Sequence, residues 1–233
     1  MQNKFDNNNF EVDIELAKKY AFRVRLREVF VDGLLTQVKW NFMFVLCCLP
    51  IVTLGPALAA LYNCTNLHAY DDYPQYKATK CFLDSFVAAF KKTVGFGLAF
   101  GIANLVFGVG FAFYLKMTSQ NIMYMPMASI SLVVLVLIWC VAVHLLPMLF
   151  EKTDFENGTI KMNDEAIAVI TKQAVQQALL NGKKTIITVV LGFAIVAAQL
   201  LFVPASIPVI LVIGLALPAQ IAAFSHTQPE ILD

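Results

Sequence analysis

Four polar residues stand inside apolar stretches of this sequence. They are Asn104 in "GLAFGIANLVFGVGF", His144 in "LVVLVLIWCVAVHLLPMLF", Gln199 in "TVVLGFAIVAAQL" and Gln220 in "ALPAQIAAF". Each carries hydrogen-bonding groups, and His144 a titratable ring, into surroundings that penalise them. Such groups are candidates for a ligand or ion path, because their desolvation needs a reason. The competing role is structural, since Asn and Gln join apolar helices by hydrogen bonds worth about 0.6–2 kcal/mol. No carboxylate lies in any of these stretches, which argues against an intramembrane hydrolase or a carboxylate proton relay. H-E-x-x-H, G-x-S-x-G, the phosphate loop and G-x-G-x-x-G are all absent, so no catalytic residue and no enzymatic activity are expected. The five cysteines, Cys47, Cys48, Cys64, Cys81 and Cys140, are odd in number and form no C-x-x-C. They are expected to be apolar filler, with no disulfide, metal site or cofactor. The Asn63-Cys64-Thr65 and Asn157-Gly158-Thr159 sequons match chance as well as glycosylation.

A second candidate lies in "LPIVTLGP", Leu49 to Pro56. Pro50 cannot donate to a helix ladder and clashes with the preceding turn. Thr53 or Gly55 can cap a new helix, with Pro56 at its first position, where a missing N–H costs nothing. The freed carbonyl and N–H groups of such a break need partners. Asn104 is the best placed by depth, and His144 the next. The candidate binding residues are therefore Thr53, Gly55, Asn104 and His144.

The elements that position them are apolar helices. Of the residues, 59% are hydrophobic and 14% charged, against roughly 45–50% and 25% in soluble domains. Charge-free runs cover 94–115, 127–150, 185–203 and 205–224, each long enough for a hydrocarbon core of about 30 Å. Trp40 to Tyr70 is also free of charge. As one helix it would be about 46 Å long, too long for a simple span, so 34–70 is read as a broken or re-entrant hairpin. The alternative is one kinked crossing with the N-terminus outside. The expected fold is all-α: a single polytopic membrane helix bundle over 1–233, with four full spans plus this hairpin.

Basic residues set the orientation. Lys4, Lys18, Lys19, Arg23, Arg25, Arg27 and Lys39 precede the first apolar block. Lys77, Lys80, Lys91 and Lys92 fall in 71–93, and Lys152, Lys161, Lys172, Lys183 and Lys184 in 151–184. The connection at 116–126 holds only Lys116. Short loops rich in Lys and Arg stay cytoplasmic, so a multi-pass cell-membrane protein with both termini inside is expected. The net charge of +1 gives no sign of nucleic acid. The polar start "MQNKFDNNNF" is not followed by an apolar h-region, so no cleaved signal peptide is expected.

Residues 1–33 read as an amphipathic cytoplasmic segment that can lie in the headgroup layer or pack on the bundle. In "EVDIELAKKYAFRVRLREVFVDGLL", Leu16, Tyr20, Val24 and Leu35 share one side, and Lys19, Arg23 and Arg27 form a stripe. "KCFLDSFVAAFKKTVGFG" and "EAIAVITKQAVQQALLNGKKTIITVV" each reach Lys-Lys-Thr before an apolar run and follow a Leu-Pro pair. A decayed internal repeat would account for this, as would ordinary lysine anchors. Gly97, Gly101, Gly108 and Ala112 place small residues at a spacing that suits close helix contact, within the chain or in a homo-oligomer.

"DGLLTQVKWNFMFVLCCLPIVTLGPALAALYN" followed by "FLDSFVAAFKKTVGF" resembles the YesL-like family of bacterial membrane proteins (domain of unknown function 624). The residues that carry it are Asn41, Leu49-Pro50, Thr53 with Gly55, Ala60-Leu61-Tyr62, and Phe86 to Phe90-Lys91. "LLPMLFEKTDFENGTIK" is similar, more loosely, to a later part of the family. The chain departs where "NCTNLHAYDD" follows Tyr62, since the family usually has basic residues and a Glu there. It departs again at Thr93, often Asn in the family. Members accompany sugar-uptake permeases and glycan-degrading enzymes. The resemblance thus implies a non-enzymatic component or accessory of carbohydrate uptake, with the lipid bilayer and permease subunits as partners. The alternative is a membrane scaffold that recruits cytoplasmic partners or anionic lipid.

Overall fold

The computed structural model describes residues 27, 31, 33–70, 77–150, 160–201, 214 and 216–231. They build an all-α architecture from α1 (Leu34–Cys47), α2 (Leu54–Tyr70), α3 (Ala78–Thr118), α4 (Met125–Met148), α5 (Ile167–Leu180), α6 (Gly182–Leu201) and α7 (Ala216–Ile231). Three helical segments, Ala78–Thr118, Ile122–Met148 and Gly182–Gln199, are long and apolar enough to cross a membrane. The amphipathic segment expected before Gly33 lies outside the described residues apart from Arg27 and Val31. So do the loops at 71–76 and 151–159 and much of the span expected over 205–224, whose end opens α7.

The break in the first apolar block is present. α1 stops at Cys47, Ile51–Thr53 forms one tight turn, and α2 starts at Leu54. Pro56 is thus the third residue of α2 rather than the first, equally harmless because the first four N–H groups of a helix have no intrahelical acceptor. The chain then doubles back. Trp40 Nε1 donates to Ala78 O at 3.0 Å, and the Trp40 ring meets the His68 ring edge-on at 5.6 Å. The middle of α1 therefore lies beside the end of α2, with Pro50 at the tip of a hairpin.

α3 differs from expectation. From Ala78 on, the connector and the span at 94–115 are one uninterrupted helix of 41 residues, about 62 Å long and twice a hydrocarbon core. Its first half carries α2, through Asn63 Nδ2 donating to Ser85 Oγ at 3.0 Å and Cys64 Sγ 3.2 Å from Cys81 Sγ. Its second half carries α4. There Phe100 meets Trp139 edge-on at 5.3 Å and Tyr114 stacks on Tyr124 at 6.4 Å. α6 returns along α4, with Trp139 against Phe193 at 6.2 Å. α5 packs on α4 with Ile170 and Ala174 buried. α7 closes over α2, α6 and α1, and Ala216 N donates to Asn41 Oδ1 at 3.3 Å.

The two similar connectors behave alike only in part. Thr93 and Thr185 are both buried, and each donates to the carbonyl four residues back, Ala89 at 2.8 Å and Asn181 at 3.1 Å. Yet α5 and α6 are separate helices, whereas α3 runs straight through. Aligned on Lys-Lys-Thr, Asn181-Gly182 stands where the first connector has Ala89-Phe90. Asn and Gly end helices, while Ala and Phe continue them.

Candidate functional site

The hairpin tip is sealed by backbone. A Cβ on Gly55 would lie 2.3 Å from Thr93 O and 2.7 Å from Gly97 Cα, so only glycine lets α2 and α3 come this close. Gly101 extends the contact, since a Cβ there would lie 3.4 Å from Leu54 Cδ2, while a Cβ on Gly108 would meet nothing within 4 Å. The small-residue stripe is thus spent inside the chain at 97 and 101 and open at 108. Thr53 turns its hydroxyl back on the tip, shared between the carbonyls of Cys47 and Pro50, the latter at 2.6 Å. The tip's own Thr53 N donates to Pro50 O at 3.0 Å.

Asn104 and His144 do not serve this break. Asn104 Nδ2 donates to Phe100 O at 2.8 Å, and its Oδ1 accepts from Trp139 Nε1 at 2.8 Å. It is the acceptor that a tryptophan N–H in an apolar helix requires, and so it pins α3 to α4. His144 Nε2 lies 2.9 Å from Thr185 Oγ1. This hydrogen bond joins α4 to α6. Of the four expected site residues, only Thr53 and Gly55 come together. The depth argument failed for the other two because a nearer helix satisfied each first. Gln220 is fully buried, and its amide finds no partner among the described residues.

A cavity of about 130 Å³ lies elsewhere, between α2, α4, α6 and α7. Leu58 and Tyr62 line it from α2, Trp139 from α4, Thr188 and Gly192 from α6, and Pro218 from α7. Its walls are apolar apart from the Tyr62 and Thr188 hydroxyls and the Trp139 indole. Among the described residues no group of three or more His, Cys, Asp or Glu could hold a metal ion.

The residues quoted for the family resemblance fall on these contacts. Asn41 caps α7, Gly55 seals the tip, Tyr62 lines the cavity, and Phe86 meets Phe90 edge-on at 5.8 Å. Residues 36–111 match the family described as "Protein of unknown function, DUF624". That stretch is similar to DUF624. No curated protein and no solved structure matches the chain. The matched segment comprises nearly all of α1, all of α2 and most of α3. It therefore contains the hairpin, its tip and the α2 wall of the cavity, while α4, α6 and α7 supply the other walls from outside it. Trp139, Thr188 and Gly192 went unnoticed as site residues. Their signal was present in part: Thr188, Gly192 and Val196 repeat at four-residue spacing, which puts them on one helix face.

Proposed function

We propose that this chain is a non-enzymatic membrane component that assists carbohydrate uptake, as an accessory of a sugar permease in the cell membrane. The observation that carries the accessory role is the closed tip. A substrate path at "LPIVTLGP" needs polar groups turned toward it, but Thr53 satisfies carbonyls of its own turn and Gly55 is pressed on Gly97. The break therefore works as a packing device. The sugar context comes from the YesL-like resemblance. We place the apolar half of α3, with α4 and α6, across the bilayer, and both termini on the cytoplasmic side. The α1–α2 hairpin then sits against the half of α3 that extends inward, with its tip at the inner boundary near Lys91 and Lys92.

Affinity purification in a gentle detergent tests this reading. Sugar-permease subunits should co-purify with the wild-type protein and be lost on deletion of Leu34–Tyr70. Sugar transport by the purified chain alone in liposomes would replace the accessory role with a carrier. The scaffold reading has its own support, since Lys80, Lys91, Lys183 and Lys184 are exposed and could recruit an acidic partner.

A further inference from the structure

We infer that α5 is an interfacial helix that rests on an anionic lipid surface at the inner end of the bundle. Leu179 and Leu180 enter the acyl region there, and Lys183 and Lys184 meet the phosphates. The inference rests on the membrane placement of α6, and not on the accessory role.

Position selects this partner first. α6 starts at Gly182 and is long and apolar enough to cross a membrane. α5 ends at Leu180, two residues earlier, so its last turn lies at the boundary where α6 enters. Leu180 is 84% exposed, the most of any large apolar side chain among the described residues, and Leu179 is 77% exposed. Beyond the bend at Asn181, Ile186, Ile187, Val190 and Leu191 are exposed as well. The apolar surface of α6 thus continues onto the end of α5, and the hydrocarbon that covers the one reaches the other.

Pattern and charge select it second. Ile170 and Ala174 are the buried side of α5, which packs on α4. The other side is exposed and carries Val169, Lys172, Val175, Gln176, Leu179 and Leu180. A helix face turned to water is mostly polar and charged, whereas this one has four large apolar residues and one cation. α5 contains no Asp or Glu. The carboxylates nearest in sequence, Asp164 and Glu165, precede it, and Glu165 accepts from Gln173 Nε2 at 3.1 Å. Lys183 and Lys184 are exposed about one turn further on. A lysine at this depth keeps its ammonium at the headgroups while its stem stays among apolar groups. An apolar face edged by lysines and free of acid fits the headgroup layer of an anionic membrane.

Tryptophan placed on this face reads its surroundings. Leu179→Trp and Leu180→Trp are made separately, and the wild-type chain supplies the Trp40 and Trp139 signal to subtract. Both positions are exposed, so either variant suffices if the other does not fold. Ile187→Trp marks α6. Each protein is reconstituted into vesicles of mixed phosphatidylcholine and phosphatidylglycerol, with bromine on the acyl chains of one lipid or the other at equal fraction. The added emission at 179 and 180 should be quenched by brominated lipid and little affected by acrylamide in the water. Brominated phosphatidylglycerol should quench more strongly than brominated phosphatidylcholine. Lys183→Gln together with Lys184→Gln should bring the two level, since each lysine near an anionic surface favours it about five-fold. Strong acrylamide quenching at 179 and 180, with Ile187→Trp still quenched by brominated lipid, overturns the interfacial helix and leaves its face to a protein partner. Strong acrylamide quenching at Ile187→Trp too overturns the placement of α6 along with it. Equal quenching by the two brominated lipids, with both lysines present, overturns the anionic preference.

Discussion

Gly55 shows how one residue governs a contact between elements. A methyl group there meets three backbone atoms, Thr93 O, Gly97 Cα and Gly97 N, and backbone cannot turn aside as a side chain can. Gly55→Ala should therefore destabilise the protein by about 1–3 kcal/mol. Gly95→Ala, with nothing within 4 Å of the new methyl, should be neutral or stabilising by about 0.5–1 kcal/mol. Thermal unfolding in detergent reads both, and equal effects would show that the close approach does not matter. Gly55→Leu should be worse still, and worse than Leu58→Ala at the cavity wall. Asn104 belongs to the same scale. Asn104→Ala strands the Trp139 N–H and should cost about 0.6–2 kcal/mol, with a shift in Trp139 emission as the local sign.

At the scale of elements, α3 is joined to the segment before α5 by one side chain. Lys92 Nζ donates to Glu165 O at 2.6 Å and also to Asn163 O, while Lys91 is exposed. Lys92→Glu turns an acceptor onto two acceptors and should lose about 1.5–3 kcal/mol. Lys91→Glu should lose well under 1 kcal/mol. Similar losses at both positions would mean that the pair acts only as a membrane anchor. The hairpin is held in a comparable way, by contacts remote from its tip. Trp40 bonds Ala78 O and Asn41 accepts from Ala216 N. Replacing Pro50 and Pro56 by Leu was expected from sequence to straighten the block. With those contacts in place, the double variant should be less stable but still folded back. A 41→216 cysteine crosslink that forms in it as in the parent would establish that, and loss of the crosslink would return the turn to the prolines.

For the whole molecule, the question is which side each end faces. Lys91, Lys92, Lys183 and Lys184 gather toward one end of the bundle, and the turn at 119–124 lies at the other. In intact cells, a cysteine at Asn121 should react with an impermeant reagent. Cysteines at Asn8, Gln75, Asn157 and Asn181 should stay protected. Labelling at Asn181 from outside would invert the bundle, and labelling at Asn8 alone would mean that the first block crosses once.

The all-α architecture, the apolar helices and the break around Pro50 were legible in the sequence because they depend on local quantities. These are run length, charge exclusion, and the backbone limits of proline and glycine. The DUF624 likeness was legible for a related reason, since its motif residues lie close together along the chain. Partners across helices were not legible. Asn104 and His144 announce that they need hydrogen bonds, but Trp139 and Thr185 become their partners only once α4 has been laid against α3 and α6. The length of α3 was hidden too, because a change from polar to apolar composition does not end a helix when Ala89, Phe90 and Lys91 all favour continuing it. The cavity is the most purely tertiary feature. It is a gap left where four helices meet, and no one of them contains it.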